Sequence, residues 1–96
     1  MAVRIICINK DNGDHYDPHE AITNLGWINE SSGKSDKSTR MQVVEYLEGG
    51  GRAYVKDMFG NLVYLIVKIS RAGNKYVKTI ADGKETNNLL ELPECR

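Results

Sequence analysis

Residues 52–81, RAYVKDMFGNLVYLIVKISRAGNKYVKTIA, carry the strongest strand signals of this chain. Apolar, β-branched and aromatic residues fill three short runs, and each run ends in a turn that contains glycine. The last of these turns, Asp82-Gly83, is a strong hairpin signal. The segment therefore predicts a meander of three antiparallel strands at 52–58, 62–70 and 75–81.

The residues near the start of the chain predict a strand and a short helix. The run at 3–9 is apolar on both alternating faces, which is typical of a central strand. Asp17 can cap a helix, Pro18 suits its first turn, and Gly26 can end it. We therefore expect a first helix between these residues, followed by a short strand at 27–28.

A second helix is predicted between a polar loop at 31–38 and the three glycines at 49–51. Its buried stripe is expected to consist of Val43, Val44 and Leu47. The predicted fold class is α+β, with a mostly antiparallel sheet of about five strands in the order β-α-β-α-β-β-β and two short helices packed on it. A length of 96 residues predicts a single domain over 1–96.

Composition and charge exclude several classes of protein. Hydrophobic residues make up 41% of the chain and charged residues 27%, which excludes wholesale disorder. The chain has no long apolar run and no signal-peptide pattern, so we expect a cytoplasmic protein that does not contact a membrane. The net charge is zero, yet residues 11–30 carry five acids and residues 52–78 carry six bases. This segregation can serve an anionic partner or can hold two parts of the domain together.

The two ends of the chain offer two further features. Cys7 and Cys95 are far apart in sequence, and small disulfide-dependent domains usually carry more cysteines. The favoured interpretation is therefore two reduced thiols, with a clasp between the ends left open as the alternative. In the tail, we expect Leu89, Leu90 and Leu92 to pack on the domain and to seal an edge of the sheet.

Several short motifs form a recognisable set. In order they are DPHEAI at 17–22, LGW at 25–27, TR at 39–40, ADG at 81–83, NLL at 88–90 and LPEC at 92–95. Together they resemble the small bacterial proteins grouped as domain of unknown function 3892, over nearly the whole chain. The resemblance implies a bacterial or phage origin and no established activity.

Alternation along the meander sorts its residues into two faces. If the more apolar set faces the helices, tyrosines and bases lie together on the other face, which would then be exposed. The candidate ligand-binding residues on this face are Arg52, Tyr54, Lys56, Tyr64, Lys68, Tyr76 and Lys78. Such residues can stack on bases and bind phosphates, but they are also common cross-strand neighbours on a solvated face. Zero net charge favours a protein or another anionic ligand over nucleic acid.

A weaker candidate is a metal or acid–base site at His15 and His19. The two histidines are four positions apart, and Asp11, Asp14 and Asp17 lie beside them. The sequence lacks the close cysteine pair of a zinc site, so we expect His19 in the first helical turn and His15 in a solvated loop. No nucleophile elbow, phosphate loop or dinucleotide fingerprint occurs, so the sequence disfavours an enzyme and predicts no cofactor.

These observations favour a non-enzymatic binding or interaction module that uses the tyrosine and lysine face for a protein or an anionic ligand. One alternative is binding of single-stranded nucleic acid or nucleotides on the same face. The other is a small metal-binding protein or enzyme centred on His15 and His19.

Overall fold

The predicted meander is part of a larger sheet. The computed structural model describes residues 2–11, 18–81, 83–86 and 88–95. The strands are β1 (Ala2–Lys10), β2 (Ile22–Ile28), β3 (Ser35–Thr39), β4 (Arg52–Lys56), β5 (Leu62–Ile69), β6 (Lys75–Ala81) and β7 (Lys84–Thr86). The described residues also form one α-helix, α1 (Arg40–Glu48), and two 3₁₀ turns at Pro18–Ala21 and Asn88–Glu91.

The sheet is mixed, with its strands in the order β3-β2-β1-β4-β5-β6-β7. Neighbouring strands run antiparallel except β1 and β4, which pair in parallel. The parallel pair arises because β2, β3 and α1 separate the two strands in the chain and return it to the same end of the sheet. The three meander strands are confirmed as β4, β5 and β6, joined as antiparallel neighbours.

The first predicted helix is wrong. Only a 3₁₀ turn forms at Pro18–Ala21, and the following residues belong to β2. Ile22 and Leu25 are three positions apart, a spacing typical of a helical face, and both are fully buried. A register shift between Asn9 and Lys10 of β1 brings these two side chains to the same side of the strand. A bulge has therefore produced a helical spacing in a strand. The proposed cap, Asp17, lies outside the described residues.

The expected sheet of about five strands with two helices is also corrected. Residues 31–38, expected as a loop, contain most of β3, and the short strand β7 was not expected. Both are edge strands with polar sequences. Polar edge strands protect a sheet from unwanted pairing, but they lack the apolar alternation by which strands are detected.

The second predicted helix is confirmed as α1. Thr39 caps it: its Oγ1 accepts a hydrogen bond from the Gln42 backbone N–H at 3.2 Å, and its own N–H donates to Gln42 Oε1 at 2.8 Å. This reciprocal pair is a capping box. Val43 and Val44 are buried, and Leu47 packs against the core. The helix contacts β2 through β6, so it lies across one face of the sheet.

The tail packs as expected and also pairs with β1. Leu89 is fully buried, while Leu90 and Leu92 pack on the core at its margin. Ile8 N–H donates to Pro93 O at 3.0 Å, and Cys95 N–H donates to Ile8 O at 3.1 Å. The last described residues therefore extend the sheet along β1.

Cys7 and Cys95 form a disulfide, which corrects the interpretation as two reduced thiols. The hydrogen bonds of Pro93 and Cys95 with Ile8 bring the two Cα atoms to 4.9 Å although 88 positions separate them in the sequence. Gly26 lies under this bond, because a Cβ at that position would collide with Cys7 Sγ. The cysteine count could not reveal the pairing, because it depends on the tail returning to β1.

In the described part of the chain, no helix has the length and hydropathy that crossing a bilayer requires.

Candidate functional site

The candidate residues of the meander do lie on one face of the sheet. Cross-strand pairing joins Tyr54 to Tyr64, and Lys68 to Tyr76. Strand alternation adds the remaining members, so Arg52, Tyr54, Lys56, Tyr64, Lys68, Tyr76 and Lys78 share the face opposite α1. We call these seven residues the outer face.

The outer face is less open than its sequence suggests. Tyr54 is 8% exposed and Tyr76 is 6% exposed, so neither ring is freely accessible. Tyr64 is half-buried, and its ring meets that of Tyr54 edge to face at a centroid distance of 6.1 Å. The Arg52 guanidinium lies 4.6 Å from the centre of the Tyr64 ring. Cation–π contact of this kind occupies the ring face that a stacking base would need.

An unpredicted carboxylate, Glu30, binds the edge of the outer face. It accepts a short hydrogen bond from the Tyr54 hydroxyl, and the Lys56 Nζ lies 3.3 Å from its other oxygen. The Tyr54 hydrogen bond and then Lys56 hold the pKa of the Glu30 carboxyl below its usual range. The same bond raises the pKa of Tyr54. Tyr54 and Lys56 are therefore engaged within the protein.

Of the two histidines in the weaker candidate site, the structure describes His19. His15 lies outside the described residues. His19 is 1% exposed in the 3₁₀ turn before β2, which places it at the core. Within the ranges that the structure describes, histidine, cysteine and acidic side chains do not cluster in a way that could hold a metal.

A cavity of about 410 Å³ lies on the opposite side of the sheet, between α1 and the strands β1, β2 and β4. The strands β1 to β4, the loop between β2 and β3, and α1 contribute to it. Its lining residues are Val3, Ile5, Trp27, Asn29, Ser32, Lys34, Ser38, Gln42, Val43, Tyr46 and Ala53. We call this space the α1 cavity.

The floor of the α1 cavity is apolar. Ile5, Val43 and Ala53 are at most 5% exposed and belong to the core. Ala53 is paired with Val3 across the parallel strands, and its small side chain leaves room beneath the helix. Trp27 forms a wall, and its Nε1–H donates to Ser38 Oγ at 3.0 Å. This hydrogen bond fixes the orientation of the indole ring.

The rim of the cavity is polar and ordered by hydrogen bonds. Ser32, Lys34 and Gln42 are exposed, whereas Asn29 is 7% exposed beneath them. Asn29 Oδ1 accepts from the backbone N–H groups of Ser31 and Ser32 at 3.0 and 3.3 Å. The Asn29 N–H donates to Lys34 O at 2.7 Å. These bonds hold the loop between β2 and β3 in one conformation beside the opening.

Tyr46 completes the far wall of the cavity. Its ring lies directly over Gly51, where any Cβ would collide with it, and its hydroxyl donates to Arg52 O at 3.3 Å. Sequence reasoning missed this site because its residues have no common spacing. Trp27, the only tryptophan of the chain, was the one lining residue that stood out in the sequence, but its partners in the cavity come from other strands and from α1.

Fold and cavity together define a small α+β protein with a mixed sheet and an apolar pocket under its helix. The chain belongs to the protein family of unknown function DUF3892, whose family model matches residues 4–93. This agrees with the resemblance seen in the sequence motifs. No curated protein and no solved structure matches the chain.

Proposed function

We propose that this protein is a non-enzymatic binding module and that the α1 cavity is its ligand site. The observation that carries the proposal is the cavity's construction, with an apolar floor, an ordered polar rim and a volume of about 410 Å³. Small-molecule sites are typically concave, mostly apolar and of about 300–1,000 Å³, with a few polar groups that orient the ligand. The ligand is a small molecule with an apolar body.

The lining residues support binding rather than catalysis. Among the described residues that line the cavity there is no histidine, cysteine or carboxylate. Histidine and carboxylate side chains are frequent general bases, so Ser32 and Ser38 have no such base among the described lining residues to activate them. The hydroxyl of Tyr46 and the indole N–H of Trp27 are already committed to hydrogen bonds within the protein. The site is therefore suited to holding a molecule unchanged.

The proposal is tested with a neutral apolar probe, 1-decanol, and a variant that fills the floor. Ala53→Val adds two methyl groups at a buried strand position, in a residue type that strands favour. Each methylene-sized group denied to the ligand is worth about 0.8 kcal/mol, so we expect about ten-fold weaker binding. Affinity is measured by the fluorescence of Trp27, the only tryptophan of the chain.

A matched control is available on the same sheet. Ala2→Val makes the same chemical change in β1, at the residue that pairs with Arg52 on the opposite face. We expect this variant to bind 1-decanol as the wild type does. Equal affinity in Ala53→Val, with an unchanged circular dichroism spectrum, would place the probe elsewhere and reject the cavity as the site.

The outer face stays a second candidate, for a protein or another anionic ligand. The observation in its favour is the position of Arg52. This residue is exposed at the first position of β4, and its guanidinium stacks on the Tyr64 ring. Arg52→Glu should then abolish binding of a poly-glutamate peptide, and Lys37→Glu, a charge reversal three strands away on the edge strand β3, should weaken it far less. Short single-stranded DNA titrated under the same salt conditions tests the nucleic-acid alternative, which should show weaker and more salt-dependent binding.

A further inference from the structure

We infer that the ligand of the α1 cavity is an amphiphilic monoanion: a carboxylate with an apolar tail, whose head group pairs with Lys34. This inference rests on the proposed function, because it assigns a chemical class to the molecule in the same cavity. The tail lies against the apolar floor, and the carboxylate lies at the rim.

The described residues that line the cavity carry one positive charge and no negative charge. Lys34 is the only charged residue among the described residues that line the cavity. Lys56 and Lys75 have carboxylate partners, Glu30 and Glu48, at 3.3 and 2.7 Å. The ammonium group of Lys34 has no such partner in the described part of the chain. One unneutralised positive charge beside an apolar cavity matches one negative charge on a ligand.

The other rim side chains are arranged as donors. Ser32 Oγ accepts from the Lys34 N–H at 3.2 Å, and Ser38 Oγ accepts from the Trp27 indole at 3.0 Å. Gln42 Oε1 accepts from the Thr39 N–H at 2.8 Å. Each group thus already accepts a hydrogen bond from the protein, which leaves its hydroxyl or amide protons for the ligand. A rim that offers an ammonium group and further donors favours an acceptor, and a carboxylate is an acceptor that carries one negative charge.

The loop positions Lys34 before any ligand arrives. Its carbonyl oxygen is bound by the Asn29 N–H at 2.7 Å, and Gly33 adopts a positive φ of 79° that fixes the turn. Lys34 is the residue immediately before β3, and Ser38 of β3 also lines the cavity. Because the backbone is already ordered, binding loses only the side-chain freedom of the lysine.

The experiment compares decanoate with 1-decanol, which has the same chain length and no charge, below the critical micelle concentration of each. Trp27 fluorescence reports affinity in wild type, Lys34→Met and Lys37→Met. Lys37 is the matched control because it is an exposed lysine of β3 that does not line the cavity. Charge-assisted hydrogen bonds predict that wild type binds decanoate about ten-fold more tightly than 1-decanol. Lys34→Met should remove that preference, and Lys37→Met should keep it.

The outcomes separate this inference from the proposed function. Equal affinities of wild type for decanoate and 1-decanol, unchanged in Lys34→Met, would overturn the anionic head group and leave the cavity as an apolar site. Binding of neither probe would overturn the proposed function and this inference with it. Loss of the preference in Lys37→Met as well as Lys34→Met would show a diffuse charge effect, which also rejects the pairing with Lys34.

Discussion

Removal of the disulfide is the perturbation whose consequence follows most directly from the fold. The Cys7–Cys95 bond joins β1 to residues 93–95, where Glu94 forms an isolated bridge with Ile8. Leu89, four residues before Pro93, is fully buried and packs in the core. The double variant Cys7→Ser/Cys95→Ser should therefore still fold, with the tail held by its apolar contacts and hydrogen bonds.

The expected loss of stability comes from the size of the closed loop. A sequence separation of 88 residues gives a chain-entropy contribution of about 4.5 kcal/mol. Domains of this size have total unfolding free energies of roughly 5–15 kcal/mol, so the bond accounts for a large share. The double variant should unfold at a temperature lower by roughly 20 °C or more.

Urea denaturation followed by circular dichroism measures the difference. The urea midpoint is measured for the wild type and for the double variant, each without and with a reducing agent. Reduction should lower the midpoint of wild type to that of the variant and leave the variant unchanged. Equal midpoints for oxidised and reduced wild type, or two thiols titratable in the oxidised protein, would refute the account of how the ends are joined.

Two further substitutions test the packing beside the disulfide and the contribution of Glu30 to stability. Gly26→Ala should lower the free energy of unfolding by roughly 1–3 kcal/mol, because the new Cβ would collide with Cys7 Sγ. The same substitution in the Cys7→Ser/Cys95→Ser background should lower the free energy of unfolding by less. Glu30→Gln should lower stability at neutral pH, because the pKa of Glu30 is depressed by Tyr54 and Lys56. The wild-type contribution is complete above the unfolded pKa near 4.3 and is lost as pH falls through the lower folded pKa, so the stabilities of the two proteins should converge in acid urea titrations.

The meander and α1 could be predicted because their signals are local. Apolar alternation and glycine turns mark β4 to β6, and Thr39 with Gln42 caps the helix within four residues. The common face of Tyr54, Tyr64 and Tyr76 follows from alternation alone. Their burial does not, because it depends on what the fold places around them.

The remaining features depend on contacts between distant parts of the chain. The bulge that places Ile22 and Leu25 on one side of β2 exists only when β2 pairs with β1. The Cys7–Cys95 bond requires the tail to return along β1. The α1 cavity depends on Ala53 lying opposite Val3 in a parallel pair that the sequence did not indicate. Local propensity carries no information on any of these pairings.

The most direct test of the central claim is a methyl NMR spectrum of protein labelled at isoleucine and valine, recorded with 1-decanol. We expect intermolecular nuclear Overhauser effects from the probe to Val3, Ile5 and Val43, which line the cavity. We expect none to Ile66 or Ile80, which lie on the same face as Tyr64. Contacts confined to Ile66 and Ile80, or no contacts at saturating probe, would contradict the claim that the α1 cavity is the ligand site.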